Sequence, residues 1–421
     1  MMPVPRTKVP LGWRQMLKFA VDISTPGDAE KDLNDIAKFE EAYAAHMGPE
    51  FEALAFCRGR MALYHVLRNL DLKAGAEVII SAIHVADFVN AIRLASFTPV
   101  VVDLEANSLY LDLADLEGKI TTRTGAVLVT HLAGYACDMD ALVKMTKDRG
   151  IELIEDCSQA HGAAFGGKPL GSFSRISIFS LSLLKPICTI RGGVVVSRDK
   201  ELMRRLRNQA TSFTSVSRLG LFIETVRHIV LKTALSKWIF GLVVFPLLRI
   251  SSPIGDHLAW FQRSNRTIKL RDSWPADFLG AFTGPQARLG LSQFDNLQSN
   301  TLKRRQAGEL ARQEIREIAP QCLPVIVENA TCGYWQFPIL VDDVSQARNI
   351  LARHGIDSSP LLLSLMCNEI EFTRFGFKSK QAENTHARIL FIPLNIYIDE
   401  ESVAVEQRIA IRNSVENFKT S

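Results

Sequence analysis

The run Ile151-Glu-Leu-Ile-Glu-Asp156-Cys-Ser-Gln159-Ala-His161-Gly-Ala163, followed by Ser174-Arg-Ile-Ser-Ile-Phe-Ser180-Leu-Ser-Leu-Leu-Lys185 and then Gly193-Val-Val-Val-Ser197, decides the architecture. Each of its three apolar runs is short and ends on a polar residue, the pattern of strands buried on both faces. Toward the N-terminus the same pattern recurs at Glu77-Val-Ile-Ile80, Thr98-Pro-Val-Val-Val-Asp103 and Ala126-Val-Leu-Val-Thr130. Between these runs, Val85–Phe97, Leu113–Ile120 and Met139–Arg149 have helical length and spacing. Alternation of this kind from about residue 53 to 210 predicts an α/β fold, a mostly parallel sheet sandwiched by helices. Ligands gather at the carboxyl ends of such strands, where Asp103, His131, Asp156 and Ser180 stand. Taken singly, each is also an ordinary cap or turn residue.

With 421 residues the chain is long enough for two or three domains with a sizeable core. Apolar residues at 47% and charged residues at 22% are ordinary for a globular protein and exclude a disordered or collagen-like chain. Lys and Arg number 49 against 45 Asp and Glu, and a net +4 does not point to nucleic acid. The seven cysteines contain no C-x-x-C pair, which argues against a zinc site and fits a reducing compartment; no metal is expected. Met1–Phe19 carries Pro3, Pro5, Arg6, Lys8 and Pro10 and no apolar core of a secretory signal, so a cytoplasmic location is expected.

The sequence divides into 1–210, read as the large α/β domain, 211–275, read as a basic, apolar, helical insert, and 276–421, read as a smaller α+β domain. Residues 211–270 hold eight Lys/Arg against two acids. The uncharged run Trp238–Leu248 is too short for a membrane span, which needs about 18 residues. Leu219–Lys237 reads as amphipathic, with Phe222, Val226, Ile229, Val230 and Leu235 on one face and Arg227, Lys232 and Lys237 largely elsewhere. Such a helix either lies in a membrane interface, its basic residues on anionic headgroups, or packs on the protein. Beyond 275, Gln286–Ile318 reads as one long helix or two, and Tyr334–Leu340 and Arg388–Pro393 as short strands around a helix at Ser345–His354.

The chemistry centres on Asp156 and Lys185, 29 residues apart and bracketing a strand. On neighbouring strands both side chains can reach one crevice. Pyridoxal phosphate needs such a pair: a lysine amine to form a Schiff base with its aldehyde, and a carboxylate to keep its pyridine nitrogen protonated.

Asp156-x-x-Gln159-x-His161-Gly162-Ala163, with Phe179-Ser180 and Lys185 at this spacing, resembles the DegT/StrS family of sugar aminotransferases, fold-type I pyridoxal-phosphate enzymes. Gly75-x-Glu77-Val78-Ile79, Pro99-Val-x-Val-Asp103, His131-Leu132-x-Gly134 and Asp138-Met139-Asp140 are similar to that family in order and spacing. So are Gln286-Ala287, Gly290-Leu291-x-Gln293, Arg304-Arg305, Gly355-Ile356 and Pro393-Leu394, and the likeness covers roughly residues 40–210 and 276–415.

The resemblance implies that Lys185 is the Schiff-base lysine and internal base, and that Asp156 partners the pyridine nitrogen. It places Gln159 beside the ring and its 3-hydroxyl, and Ser180 with the Gly59 turn on the phosphate. That turn, Cys57-Arg58-Gly59-Arg60, stands where the family has Ser-Gly-Thr, so Arg60 is expected to exchange a hydroxyl contact for a charged one. The family's ring-stacking aromatic maps to Val85, which makes the neighbouring His84 the expected substitute. Ile190-Arg191-Gly192-Gly193 replaces Gly-Glu-Gly-Gly, and a partner-donated phosphate-binding Asn maps to Leu279. The activity implied is transfer of an amino group from an amino acid, often glutamate, to a keto-sugar, expected to be nucleotide-linked and to serve envelope glycan or glycolipid assembly, by a homodimer. Dehydratases among such relatives lack the lysine, and non-catalytic relatives keep only the fold; these are the alternatives.

Overall fold

The computed structural model describes residues 2–214, 216–251, 269–361, 363–398 and 402–417. The chain opens with two helices, α1 (Trp13–Ser24) and α2 (Ala29–Met47). Seven strands then build the central sheet: β1 (Glu52–Phe56), β2 (Glu77–Ser81), β3 (Thr98–Val102), β4 (Thr124–Thr130), β5 (Glu152–Asp156), β6 (Ile176–Ser180) and β7 (Gly193–Ser197). Their spatial order is β1-β7-β6-β5-β4-β2-β3. Only β7 is reversed, running antiparallel to both β6 and β1. Residues 181–192 form no crossover helix, and β6 and β7 pair as neighbours in opposite directions.

Six of these strands lie within a few residues of their expected places. The seventh, β1, has no expected counterpart, because its Glu52-Ala-Leu-Ala-Phe56 lacks the β-branched residues that mark the others. Alternate side chains feed two cores, one on each side of the sheet. Val78, Ile80, Leu128, Ile154, Ile178 and Val195 face one; Ile79, Val127, Val129, Leu153, Phe179 and Val196 face the other.

Between the strands run α3 (Gly59–Asn69), α4 (Asp87–Leu94), α5 (Leu113–Lys119) and α6 (Met139–Asp148), and α7 (Lys200–Ala210) follows the last. Asp112, Asp138 and Asp199 start α5, α6 and α7 by accepting backbone N–H groups that the first turn leaves unpaired.

The basic segment forms α8 (Arg218–Ala234) and a second helical stretch, Lys237–Ile239, a wider π turn Phe240–Val244, and Phe245–Ser251. The two halves bend by 66°. No single helix among the described residues is long and apolar enough to cross a membrane, whereas this bent pair is so by length and composition. Residues 252–268 of the segment lie outside the described residues.

The expected apolar face of α8 points mostly outward. Phe222, Val226 and Val230 are 40%, 41% and 51% exposed, while Leu221, Thr225, His228 and Leu231 are buried. The helix is rotated by about one residue from the face that hydrophobicity alone selects, because its mixed polar side covers the cleft described below. Leu235 is buried as part of the core, and Arg227 lies on the cleft side.

Gln286–Ile318 is two helices, α9 (Gly284–Leu291) and α10 (Phe294–Ile318). Gln293, at the break, clamps Cys188, accepting its N–H at 3.0 Å and donating to its carbonyl at 2.9 Å. The C-terminal part carries an antiparallel sheet of β8 (Phe337–Leu340), β9 (Ser359–Pro360) and β10 (Ile389–Ile392), in the order β8-β10-β9. Helices α11 (Val344–Arg353), α12 (Lys380–Arg388) and α13 (Ser402–Asn417) accompany it. Asp103, at the end of β3, accepts the N–H groups of Gln381 and Ala382 and so caps α12, the ordinary role open to a strand-end carboxylate.

Candidate active site

A cleft of about 240 Å³ opens at the carboxyl ends of β4, β5 and β6. Every residue that the sequence analysis singles out for cofactor contact lines it: Gly59, Arg60, His84, Asp156, Gln159, Ser180 and Lys185.

Asp156 ends β5 and is 3% exposed. Its Oδ1 accepts the N–H of Ser158 at 3.0 Å, and its Oδ2 lies 3.3 Å from Nε2 of His84. Burial pushes the carboxyl up, but the hydrogen bonds from His84 and Ser158 outweigh it and hold the group below its usual range. The imidazole is oriented by three contacts. Its Nδ1 accepts the Val85 N–H at 2.8 Å, which leaves Nε2 to carry the proton toward Asp156 and toward Thr130 Oγ1 at 2.8 Å. One ring face packs on Phe88, 4.1 Å between centroids.

Lys185 stands on the loop between β6 and β7, buried on the same cleft. Burial lowers its amine to about 7, opposed only in part by the negative charge of Asp156. A large share of this lysine is therefore neutral at physiological pH, as a nucleophilic amine must be. Its Nζ sits 3.7 Å from the centroid of the Trp335 ring. Trp335 carries no spacing signal in the sequence, lying just ahead of a short strand, and sequence reasoning misses it.

Gln159 is fixed by its Oε1, which accepts the N–H of Ala133 at 2.7 Å. Ser180 Oγ lies 3.0 Å from Ser182 Oγ. Gly59 opens α3, whose first internal bonds run from Met61 and Ala62 to the Arg58 carbonyl. The earlier N–H groups therefore face the cleft end. Strand β7 approaches closely here: a Cβ on Gly193 would stand 2.4 Å from Gly59 Cα, so only glycine fits.

Arg60 lines the cleft, but its guanidinium is held by Asp87, which also accepts from Arg271 Nε at 2.8 Å. Arg58, Arg60 and Arg271 surround the Phe278 ring at 4.5, 5.1 and 5.3 Å. Leu279 caps the short turn that carries that ring. Helix α8 roofs the cleft with Glu224, Arg227, His228 and Leu231. These are further residues that sequence reasoning misses, since the charge pattern of α8 points to its other face. Behind the sheet, His161 hydrogen-bonds the Tyr43 hydroxyl at 2.7 Å and is driven down to about 3 by burial, a packing role.

A buried carboxylate and a partly neutral lysine sharing one cleft, with a helix N-terminus and two serines beside them, fit pyridoxal phosphate. Residues 22–220 match the sequence model of the DegT/DnrJ/EryC1/StrS aminotransferase family. Over these residues, just under half of its length, the chain resembles that family. It is 38% identical over 172 residues to a GDP-perosamine synthase of Escherichia coli O157:H7. It is 34% identical over 173 residues to the dTDP-3-amino-3,6-dideoxy-alpha-D-galactopyranose transaminase of Aneurinibacillus thermoaerophilus. Each match covers 41% of this chain and 47% of the relative, so the chain spans about half the length of these curated relatives. Among solved structures, PseC of Helicobacter pylori, an aminotransferase involved in the biosynthesis of pseudoaminic acid, superposes with a TM-score of 0.72 at 21% identity. That match covers 99% of this chain and 100% of the other. An aminotransferase from Psychrobacter cryohalolentis superposes with a TM-score of 0.73 at 18% identity, covering 99% and 100%. The fold is thus the fold-type I aminotransferase fold across the whole chain.

Proposed function

We propose that this chain is a pyridoxal-phosphate-dependent transaminase that moves an amino group from an amino-acid donor, glutamate, to a nucleotide-linked keto-sugar for envelope glycan or glycolipid assembly. The observation that carries it is the pair Asp156 and Lys185 on one cleft, the carboxyl held down and the amine lowered to about 7. The relatives named for perosamine and for a dTDP-amino sugar support the substrate class.

When bound, the cofactor supplies an aldehyde for amines and a ring that accepts the electrons released with an α-proton. Asp156 keeps the pyridine nitrogen protonated, and His84, locked by Val85 and Thr130, orients that carboxylate and packs by the ring. In each half-reaction Lys185 would take up and return a proton at Nζ. Gln159 lies beside the ring, and Ser180 with the α3 N-terminus holds the phosphate. Arg60 acts at one remove, through the Asp87 ion pair that fixes the first turn of α3. Borohydride reduction followed by peptide mapping tests this: the label is expected on Lys185, and labelling elsewhere overturns the assignment.

The same proposal includes a homodimer, the commonest closed assembly, checked by sedimentation at assay concentration. It also includes a peripheral membrane contact. Phe222, Ile223, Val226 and Val230 of α8, Trp238, Leu242 and Leu247 beyond it, and Trp13 and Leu17 of the neighbouring α1 are exposed. Lys232 Nζ lies 5.4 Å from the Trp13 ring, and Arg218, Lys237 and Arg249 flank the apolar residues. Apolar and aromatic residues rimmed by cations suit an anionic bilayer surface.

A further inference from the structure

Arg191 replaces an acidic residue in the family pattern and has a contact geometry that the roles above leave unexplained. It is 4% exposed and lines the cleft. Its Nη1 lies 3.5 Å from Glu224 Oε1 and 3.9 Å from Asp277 Oδ2. Its Nε and Nη2 are buried with no hydrogen-bond partner among the described residues. Native structures rarely leave two donors of one buried cation unpaired, because each forfeits its hydration without return.

The surroundings say what the missing acceptor is. Arg58, the residue preceding α3, reaches the same Glu224 oxygen at 3.3 Å, and its own Nε is also buried and unpartnered. The two guanidiniums thus flank the N-terminus of an 11-residue helix. Gly193, two residues beyond Arg191, pairs with Ser180 and touches Gly59. Donors therefore converge from three sides: the α3 N–H groups, the Ser180 and Ser182 hydroxyls, and two arginines. A dianion with several acceptor oxygens satisfies such a set, and a carboxylate does so less completely.

We propose that Arg191 and Arg58 are the charged half of a phosphate seat whose neutral half is the N-terminus of α3 with the hydroxyls of Ser180 and Ser182. This rests on the pyridoxal-phosphate reading for the identity of the phosphate. The cofactor's phosphate is then held by charges from this chain itself, where the family pattern has a hydroxyl at the turn and an Asn from a partner. Glu224 and Asp277 balance the arginines while the seat awaits its anion, so α8 takes part in cofactor retention.

The test uses the full chain cleared of cofactor and three probes: pyridoxal phosphate, pyridoxal and inorganic phosphate, followed by calorimetry and, for the first two, visible absorption. The native chain is expected to prefer pyridoxal phosphate to pyridoxal strongly. Arg191→Gln is expected to weaken pyridoxal phosphate and inorganic phosphate by about 10- to 100-fold, the range for a charged hydrogen-bonding group, and to leave pyridoxal unchanged. Arg58→Gln should act in the same direction. Glu224→Gln should tighten inorganic phosphate, because it removes the competing anion. Equal binding of the two pyridoxal compounds by the native chain overturns the seat and leaves the transaminase reading standing. Binding of inorganic phosphate with neither pyridoxal compound upholds the seat and removes that reading. An unchanged preference in Arg191→Gln, with a raised glutamate KM, overturns the proposal in favour of a substrate carboxylate. If circular dichroism shows Arg191→Gln unfolded, Arg191→Lys and Arg58→Gln decide: retained preference in both overturns the seat.

Discussion

Nζ of Lys185 sits 3.7 Å over the ring of Trp335, and the indole Nε1 of that same Trp335 donates to the carbonyl of Leu184 at 2.9 Å. One side chain therefore holds the lysine twice, by its π face and by the backbone next to it. Leu184 is at φ +69°, a left-handed conformation that a leucine adopts only when its neighbours impose it. Trp335 imposes it from across the cleft.

Trp335→Ala should therefore lower kcat by about 10- to 30-fold, since it removes both the ring packed on the lysine and the Leu184 hydrogen bond, each worth about 1 kcal/mol. Trp335→Phe keeps the ring face and loses only the Leu184 hydrogen bond, so it should retain most of the turnover. Steady-state kinetics of the two variants checks this, and equal losses would assign the effect to the backbone hydrogen bond alone.

Lys185 also makes a stability prediction. Its amine titrates near 10.4 in an unfolded chain and at about 7 in the folded one. Between these values the unfolded chain binds the proton and the folded chain does not, so stability rises with pH across that window and is lost as pH falls to 7. Lys185→Met removes the titrating group and nearly conserves volume. In protein cleared of cofactor, its Tm should exceed that of the native chain most at pH 7 and below, with the gain shrinking toward pH 10. Thermal unfolding at four pH values checks the sign.

Asp156→Asn should leave the fold intact, because the amide oxygen can still accept the Ser158 N–H while His84 Nε2 keeps Thr130 Oγ1 as its partner. Turnover should fall by about 100- to 10,000-fold, the range for loss of a group that controls a proton in the reaction. Circular dichroism and kinetics together check it, and near-normal turnover would remove Asp156 from the mechanism.

Part of this site was legible in the sequence, for a physical reason. Asp156, Ser180 and Lys185 are tied to strand ends, and a strand buried on both faces, such as Gly193-Val-Val-Val-Ser197, declares itself by composition. Trp335, His228 and Glu224 come from elements far along the chain, and only tertiary packing brings them to the cleft. The direction of β7 was hidden because strand composition does not encode polarity; the short 181–192 connection does. Hydrophobic periodicity marks the most apolar face of α8, which points outward, and leaves its buried face, with Thr225 and His228, without a signal.

Gln286 links α9 to the Arg191 loop. It is fully buried, its Oε1 accepts from the Thr283 N–H at 3.2 Å, and its Nε2 donates to the carbonyls of Arg191 at 2.5 Å and Thr189 at 3.3 Å. Gln286→Leu removes the side-chain donor of the Thr189 carbonyl, leaves the Arg191 carbonyl with the Thr189 hydroxyl, and should cost about 1–3 kcal/mol of stability. Thr283→Ala removes only the cap of α9 and should cost about 1 kcal/mol. Denaturant unfolding of both variants checks the order.

The outward face of α8 yields the last prediction. Phe222, Val226 and Val230 are exposed on it, while Leu221, His228 and Leu231 face the protein, so changes on the first set leave the cleft alone. The native chain should float with anionic liposomes at low salt. Each basic residue near such a surface contributes about 1 kcal/mol, and Arg218, Lys232, Lys237 and Arg249 together add a few. At about 1 M salt the Debye length falls to about 3 Å and flotation should weaken. The triple variant Phe222→Asp, Val226→Asp, Val230→Asp should lose flotation and keep borohydride labelling at Lys185. If the triple variant instead dissociates a dimer while the native chain never floats, a second copy of the chain covers this face. That result would end the membrane contact and leave the cleft chemistry unchanged, because the two faces of α8 are separate.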